Sequence, residues 1–158
     1  MEVGSLFQIG DNIVYPMHGA GTIIDIEEKE ILRKKQQYFV IKMLNSNMQV
    51  MIPKGKILSS NIRQVTDIVA LKNIIHIFHQ CETDKLLPWK QRYKVNSDKI
   101  KTGKMQEGAE VVRDLKRMQN EKALNSSEKK LFDDAQQFLI SELRLIKGIT
   151  EDQIESFC

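Results

Sequence analysis

The spacing of apolar residues changes once along this chain, near residue 65, and no other feature constrains the fold as tightly. Before that point apolar residues nearly alternate in short runs broken by Gly and Pro: Asn12 to Tyr15, a turn-rich Pro16 to Gly21, then Thr22 to Glu27. Alternation puts successive side chains on opposite faces of an extended chain, so these runs predict strands separated by turns. Gln37 to Leu44 is β-branched and aromatic, Asn45, Ser46 and Asn47 tolerate unusual backbone angles, and Met48 to Ile52 returns toward Pro53, which predicts a hairpin. A last short strand over Ile62 to Val65 brings the count to five. So many strands in about 60 residues predict a small Tudor-like or SH3-like barrel, because a closed sheet removes exposed strand edges.

From Thr66 the period becomes that of helices. Ile68, Leu71, Ile74, Ile75 and Phe78 fall on one face behind a Thr66 or Asp67 cap, in a helix ending near Gln80. Pro88 suits the first turn of a second helix running to about Thr102, with Trp89, Tyr93 and Ile100 on one face and Gly103 as its stop. A third helix covers Met105 to Asn120. Asn125 with Glu128 three residues later resembles a capping box opening a fourth, whose apolar face runs from Leu131 toward Gly148; Thr150 and Gln153 predict a short fifth. The fold class is therefore α+β, β then α: residues 1–65 as a five-stranded barrel and residues 66–158 as a helical domain of about five helices. Residues 1–5 and Glu82 to Leu87 are the expected flexible segments.

Several function classes are disfavoured at once. Only Cys81 and Cys158 occur, with no CxxC pair or spaced framework, and no export signal or long apolar span is present, so a cytoplasmic chain without a membrane segment is expected. His76, His79, Cys81 and Glu82 lack a second ligand cluster, which favours a structural role over a metal site. Gly19 and Gly21 read as turn glycines, since no lysine and no helix follow them as in a phosphate loop. No nucleophile elbow, zinc-protease or paired-carboxylate signature appears, so enzyme activity, a cofactor and a small-molecule substrate are not expected.

Net charge is only +3, so any basic site must be local. Residues 89–117 hold nine basic side chains (Lys90, Arg92, Lys94, Lys99, Lys101, Lys104, Arg113, Lys116 and Arg117) against four acidic ones, while residues 118–158 fall to −3. That asymmetry suits a surface tracking phosphates, although solvated helix faces show similar runs. Trp89, the single tryptophan, stands beside these cations at a helix start. It is either a core residue or an exposed wedge of the kind that unstacks base steps from the minor groove, and the sequence leaves both open.

The residues themselves resemble a known family. FQIGDNIVYPMHGAG (Phe7 to Gly21) is similar to the opening motif of CarD-type bacterial transcription regulators, the CarD/CdnL family, and the similarity continues through QQYFVIKM (Gln36 to Met43), WKQRYK (Trp89 to Lys94), AEVVRDL (Ala109 to Leu115) and LNSSEKKLFDDAQQFLISEL (Leu124 to Leu143). The resemblance implies a Tudor-like domain that binds the β subunit of RNA polymerase and a helical domain that contacts promoter DNA. By resemblance Trp89 is a minor-groove wedge at the upstream edge of the transcription bubble. Lys90 is its basic neighbour, Arg92, Lys94 and Lys129 match DNA contacts, and Gln91 stands where relatives can carry arginine. Lys29 and Met51 match two arginines used against the β lobe; methionine there can pack but cannot pair with a carboxylate.

The expected function is thus a non-enzymatic regulator, nucleoid-associated through RNA polymerase, that stabilises the open promoter complex with little sequence preference, since the minor groove presents a degenerate pattern. The alternative is a polymerase-bound protein adaptor with no direct DNA contact.

Overall fold

The computed structural model of the chain describes residues 7–80 and 87–157. Five antiparallel strands come first: β1 (Asn12–Tyr15), β2 (Gly19–Ile31), β3 (Lys34–Met43), β4 (Gln49–Pro53) and β5 (Arg63–Gln64). Their order across the sheet is β4-β3-β2-β1-β5. Inward residues from four of the strands and their connections, including Ile13, Ile23, Phe39, Ile41, Ile52 and Ile57, close over one core. This is the β half that the alternating pattern predicts.

Two of its strands are longer than that pattern suggests. β2 and β3 continue as a two-stranded ribbon, pairing Glu27 with Tyr38 through to Ile31 with Lys34. The turn between them uses Leu32 at φ +52° and Arg33 at φ +64°. Such left-handed pairs are usually Asn-Gly, so the turn carries no sequence signal, and the ribbon is polar on both faces. Gly21 is not a turn residue. It sits inside β2, where an added Cβ would lie 2.7 Å from the carbonyl oxygen of Lys42. Only a residue without a side chain lets β3 pair so closely there.

The helices are α1 (Ile68–Gln80), α2 (Trp89–Lys101), α3 (Met105–Glu121), α4 (Ser126–Arg144) and α5 (Glu151–Glu155). Asp67 caps α1 by accepting from the Ala70 amide at 2.8 Å, and Thr150 with Gln153 forms a complete capping box on α5. At α4 only half of the expected box exists. Asn125 accepts from the Glu128 amide at 2.8 Å, but the Glu128 side chain turns elsewhere. α4 also stops at Arg144, earlier than Gly148, though Ile146 beyond it stays in the core. A second core gathers Leu71, Val111, Val112, Leu115, Leu143 and Phe157. The segments expected to be flexible, residues 1–5 and 82–86, lie outside the described residues, as do Cys81 and Cys158.

The two halves meet along a polar seam. Glu142, 3% exposed, receives a bidentate pair from Arg63 at 2.7 Å and 2.7 Å, plus bonds from the amide and hydroxyl of Thr66 at 2.8 Å and 2.9 Å. Next to it Ser141 accepts from the Ala20 amide at 3.1 Å. Arg63 Nε also donates to the carbonyl of Gly103 at 2.9 Å. Gly103 has φ +72° and lies so close to Pro16 that an added Cβ would be 2.6 Å from its ring. Buried hydrogen-bonded charge and close packing thus tie the two modules at this seam.

Candidate nucleic-acid interface

α2 begins at Trp89 because Pro88, with no amide hydrogen to lose, holds the chain extended at the cap (φ −51°, ψ 144°). The indole is 47% exposed, so Trp89 is not a core residue. Leu87 and Pro88 are exposed beside it, and the ammonium of Lys90 lies 5.9 Å from the indole ring centroid. The result is an apolar apex with a cation at its side.

The base of that apex is fixed by Arg92. Its guanidinium forms a fork on Glu128, with Nη2 donating to Oε2 at 2.9 Å and Nε to Oε1, while Nη1 donates to the Leu87 carbonyl at 2.9 Å. Glu128 is 1% exposed. The hydrogen bonds that Arg92 donates to Glu128 raise the Arg92 pKa above its ordinary value, outweighing the opposing effect of burial. Arg92 is therefore charged throughout the physiological range, and its charge is spent inside the molecule. Three of its five N–H groups are engaged, so it acts chiefly as a joint between α2 and α4.

The remaining expected contacts differ in setting. Gln91 and Lys129 are exposed, Lys129 following Glu128 on α4. Lys94 is exposed and pairs with Asp98 one turn on at 3.2 Å, a surface contact of small weight. Lys99 pairs with Glu110 at 3.0 Å, and Arg113 is buried against Asp114 at 2.8 Å. These three acids are already counted in the local +5; Glu128, outside that segment, offsets it further through Arg92.

On the sheet, Met51 pairs with Val40 of β3, and Lys29 with Gln36. Gln36, Tyr38 and Val40 share a face by the two-residue period, and it is the face opposite Phe39 and the core. Lys29 and Met51 therefore lie on one outer surface, about 13 Å apart along the strands. His76 and His79 are both exposed on α1 rather than packed inside. Among the described residues no group of three His, Cys, Asp or Glu is placed for a metal ion, and no helix is long and apolar enough to cross a membrane.

From the sequence Glu128 reads only as part of a capping box, and Glu142 is not singled out. Both stand on the apolar stripe of α4, in phase with Phe132, Ala135 and Leu139, where a leucine would be ordinary. A carboxylate in that phase is the signal for a buried guanidinium partner.

These features define a class: a sheet module and a helical module joined by a buried polar seam, with an exposed tryptophan among cations at one helix start. The comparisons narrow it. Residues 7–66 match the family described as CarD-like/TRCF RID domain, and residues 73–158 match CarD, C-terminal domain. The chain is 74% identical over 152 residues to the Bacillus subtilis (strain 168) protein named "Putative transcription factor YdeB", covering 96% of this chain and 99% of that one. A similarity to the solution structure of the 72-residue N-terminal domain of Myxococcus xanthus CarD has 29% identity and TM-score 0.32, covering 37% of this chain and 77% of the other. The chain belongs to the CarD family, as a transcription factor of that family.

Proposed function

We propose that the chain docks on the β subunit of RNA polymerase through the sheet surface carrying Lys29 and Met51, and sets Trp89 into the minor groove at the upstream edge of an opened promoter. Lys90, Gln91, Lys94 and Lys129 hold the flanking backbone, with Arg92 as the joint beneath them. The single observation that carries this reading is an indole 47% exposed beside a lysine, at a helix start pinned by a buried ion pair. An exposed aromatic costs the fold little and is available to stack, while the pin lowers the entropy lost when it does so.

Glu128 and Glu142 lie 14 residues apart on α4, which is roughly 21 Å at 1.5 Å per residue. One holds the start of α2 and the other holds the sheet, so α4 serves as a strut between the polymerase side and the DNA side. The action is thermodynamic. A wedge with higher affinity for the melted junction than for closed duplex shifts that equilibrium by its differential affinity, and about 1.4 kcal/mol gives a tenfold shift.

Binding to a forked duplex across a salt series tests the DNA half. Release of counterions from several phosphate contacts predicts a steep fall of affinity with salt, and alanine at Lys90 or Lys129 flattens the slope by about one unit each. Absence of fork binding at low salt supports a polymerase-bound adaptor instead.

A further inference from the structure

α2 and α4 leave a groove between them that continues from the wedge. Tyr93 stands one turn after Trp89 on the same side of α2, about 6 Å further along the axis, and is 36% exposed. Ser97 and Lys101 follow at successive turns and line the groove with it. α4 supplies Ser127, Lys130, Leu131 and Asp134, whose spacing of three and four residues puts them on one side of that helix. The groove encloses about 550 Å³, within the range of small-ligand pockets.

The sheet module also reaches it. Met17, in the turn between β1 and β2, lines the groove and is 47% exposed. Its φ of +70° is a left-handed conformation that a residue with a side chain adopts only at a steric cost. With Tyr93, Leu131 and the buried Ile100 it gives the groove an apolar and aromatic part.

The polar part is mixed in charge. Lys94 pairs with Asp98 at 3.2 Å and Lys130 with Asp134 at 3.8 Å, each on its own helix. Such exposed pairs open at little cost, which frees a donor and an acceptor together. Two carboxylates make the groove a poor track for phosphates alone. They suit a neutral group with a flat apolar face and an edge that offers donors and acceptors side by side, which is the chemistry of a nucleobase. An aromatic ring and a thioether can take its face, two serine hydroxyls can join in its edge, and Lys94 and Lys101 can answer the flanking phosphates.

We infer that this groove receives one unpaired base of the strand that Trp89 unstacks, the base lying against Tyr93. The inference rests on the DNA reading above, since the wedge is what delivers an unpaired base to the groove. Each of the four bases carries both donors and acceptors on its edge, so the mixed lining adds little sequence preference.

The test is the affinity of the full chain for forked duplexes that differ at the first unpaired nucleotide, intact or abasic, in one strand at a time. An abasic site in one of the two strands should weaken binding about tenfold, the worth of one stacked base. Tyr93→Ala should weaken the intact fork by about the same factor, lose nothing further on that abasic fork, and leave closed duplex within about twofold. Tyr93→Phe should keep the affinity for the intact fork, with helical content unchanged in both variants by circular dichroism. Wild-type binding that requires Trp89 yet ignores abasic sites in either strand overturns the groove and leaves the wedge standing. Multiplying losses from Tyr93→Ala and the abasic site overturn it too, because the base then stacks elsewhere. So does saturable micromolar binding of free deoxycytidine monophosphate, which would make the groove a small-molecule site. Absence of fork binding by wild type removes the wedge itself, and the groove with it.

Discussion

The two ends of α4 carry the same chemistry in different surroundings. At one end Arg63 meets Glu142, with side chains 28% and 4% exposed; at the other Arg92 meets Glu128, at 20% and 2%. Glu142 accepts four hydrogen bonds from two residues of the sheet side, and they join two modules. Glu128 takes its fork from one residue and has the cap amide behind it, so it orders a local apex. A buried ion pair adds little net stability against well-packed apolar residues, because both charges lose water, but losing one partner leaves the other buried and uncompensated. Such pairs suit positions where geometry matters more than stability. At both ends what is fixed is a direction: of the sheet relative to α4, and of Trp89 relative to α2.

The comparison breaks most clearly at the seam. Arg63→Met should cost about 3–5 kcal/mol in urea unfolding, since Glu142 keeps its charge with only Thr66 to answer it. Arg63→Met combined with Glu142→Leu should recover most of that loss. A single-mutant loss below about 1 kcal/mol would mean that the seam is ordinary surface.

Arg92→Ala should cost less, about 2–3 kcal/mol, because it joins two helices already packed in one core. It should also weaken fork binding without changing the salt slope, since its charge is already answered by Glu128. A slope flattened by a full unit would make Arg92 a phosphate contact and Glu128 its accessory.

Met51→Glu sharpens the comparison from the sheet side. It should weaken binding to the β lobe by about 1–3 kcal/mol while leaving fork binding unchanged. Equal binding to the lobe by wild type and mutant would move the docking surface elsewhere on the sheet. The smallest effect belongs to Lys94→Ala, which should alter stability by less than about 0.5 kcal/mol, as its pair with Asp98 is 77% and 58% exposed.

Much of this architecture was legible from periodicity. The helical boundaries after residue 66 follow from caps and stops that act locally: Asp67, Pro88, Gly103, Asn125 and Thr150 each sit where the helix begins or ends. The β2–β3 ribbon was not legible, because Leu32 and Arg33 adopt a turn that residue type does not announce. Nor were the clamps, for a reason of a different kind. Asn125 with Glu128 satisfies a local pattern completely, and only the tertiary arrival of Arg92 draws the Glu128 side chain away from it. In the same way the count of cations in residues 89–117 was correct as a sum, yet the fold divides it: α2 carries the fringe of Trp89, whereas Arg113, Lys116 and Arg117 face α1. Trp89 lies in nearly the same phase as the buried Ile100, so its exposure follows from its place at the first residue of α2, about 16 Å along the helix from Ile100, and phase alone gives no means to read it.

The central claim is that Trp89 serves the opened promoter and not the fold. Open-complex lifetime on purified polymerase, measured for wild type and Trp89→Ala with unfolding followed on the same preparations, tests it directly. The account predicts a lifetime shortened about fivefold to a hundredfold, the equivalent of roughly 1–3 kcal/mol of lost stacking, with a stability change under about 1 kcal/mol. An unchanged lifetime, or a stability loss of about 3–5 kcal/mol of the size expected for a buried tryptophan, would contradict it.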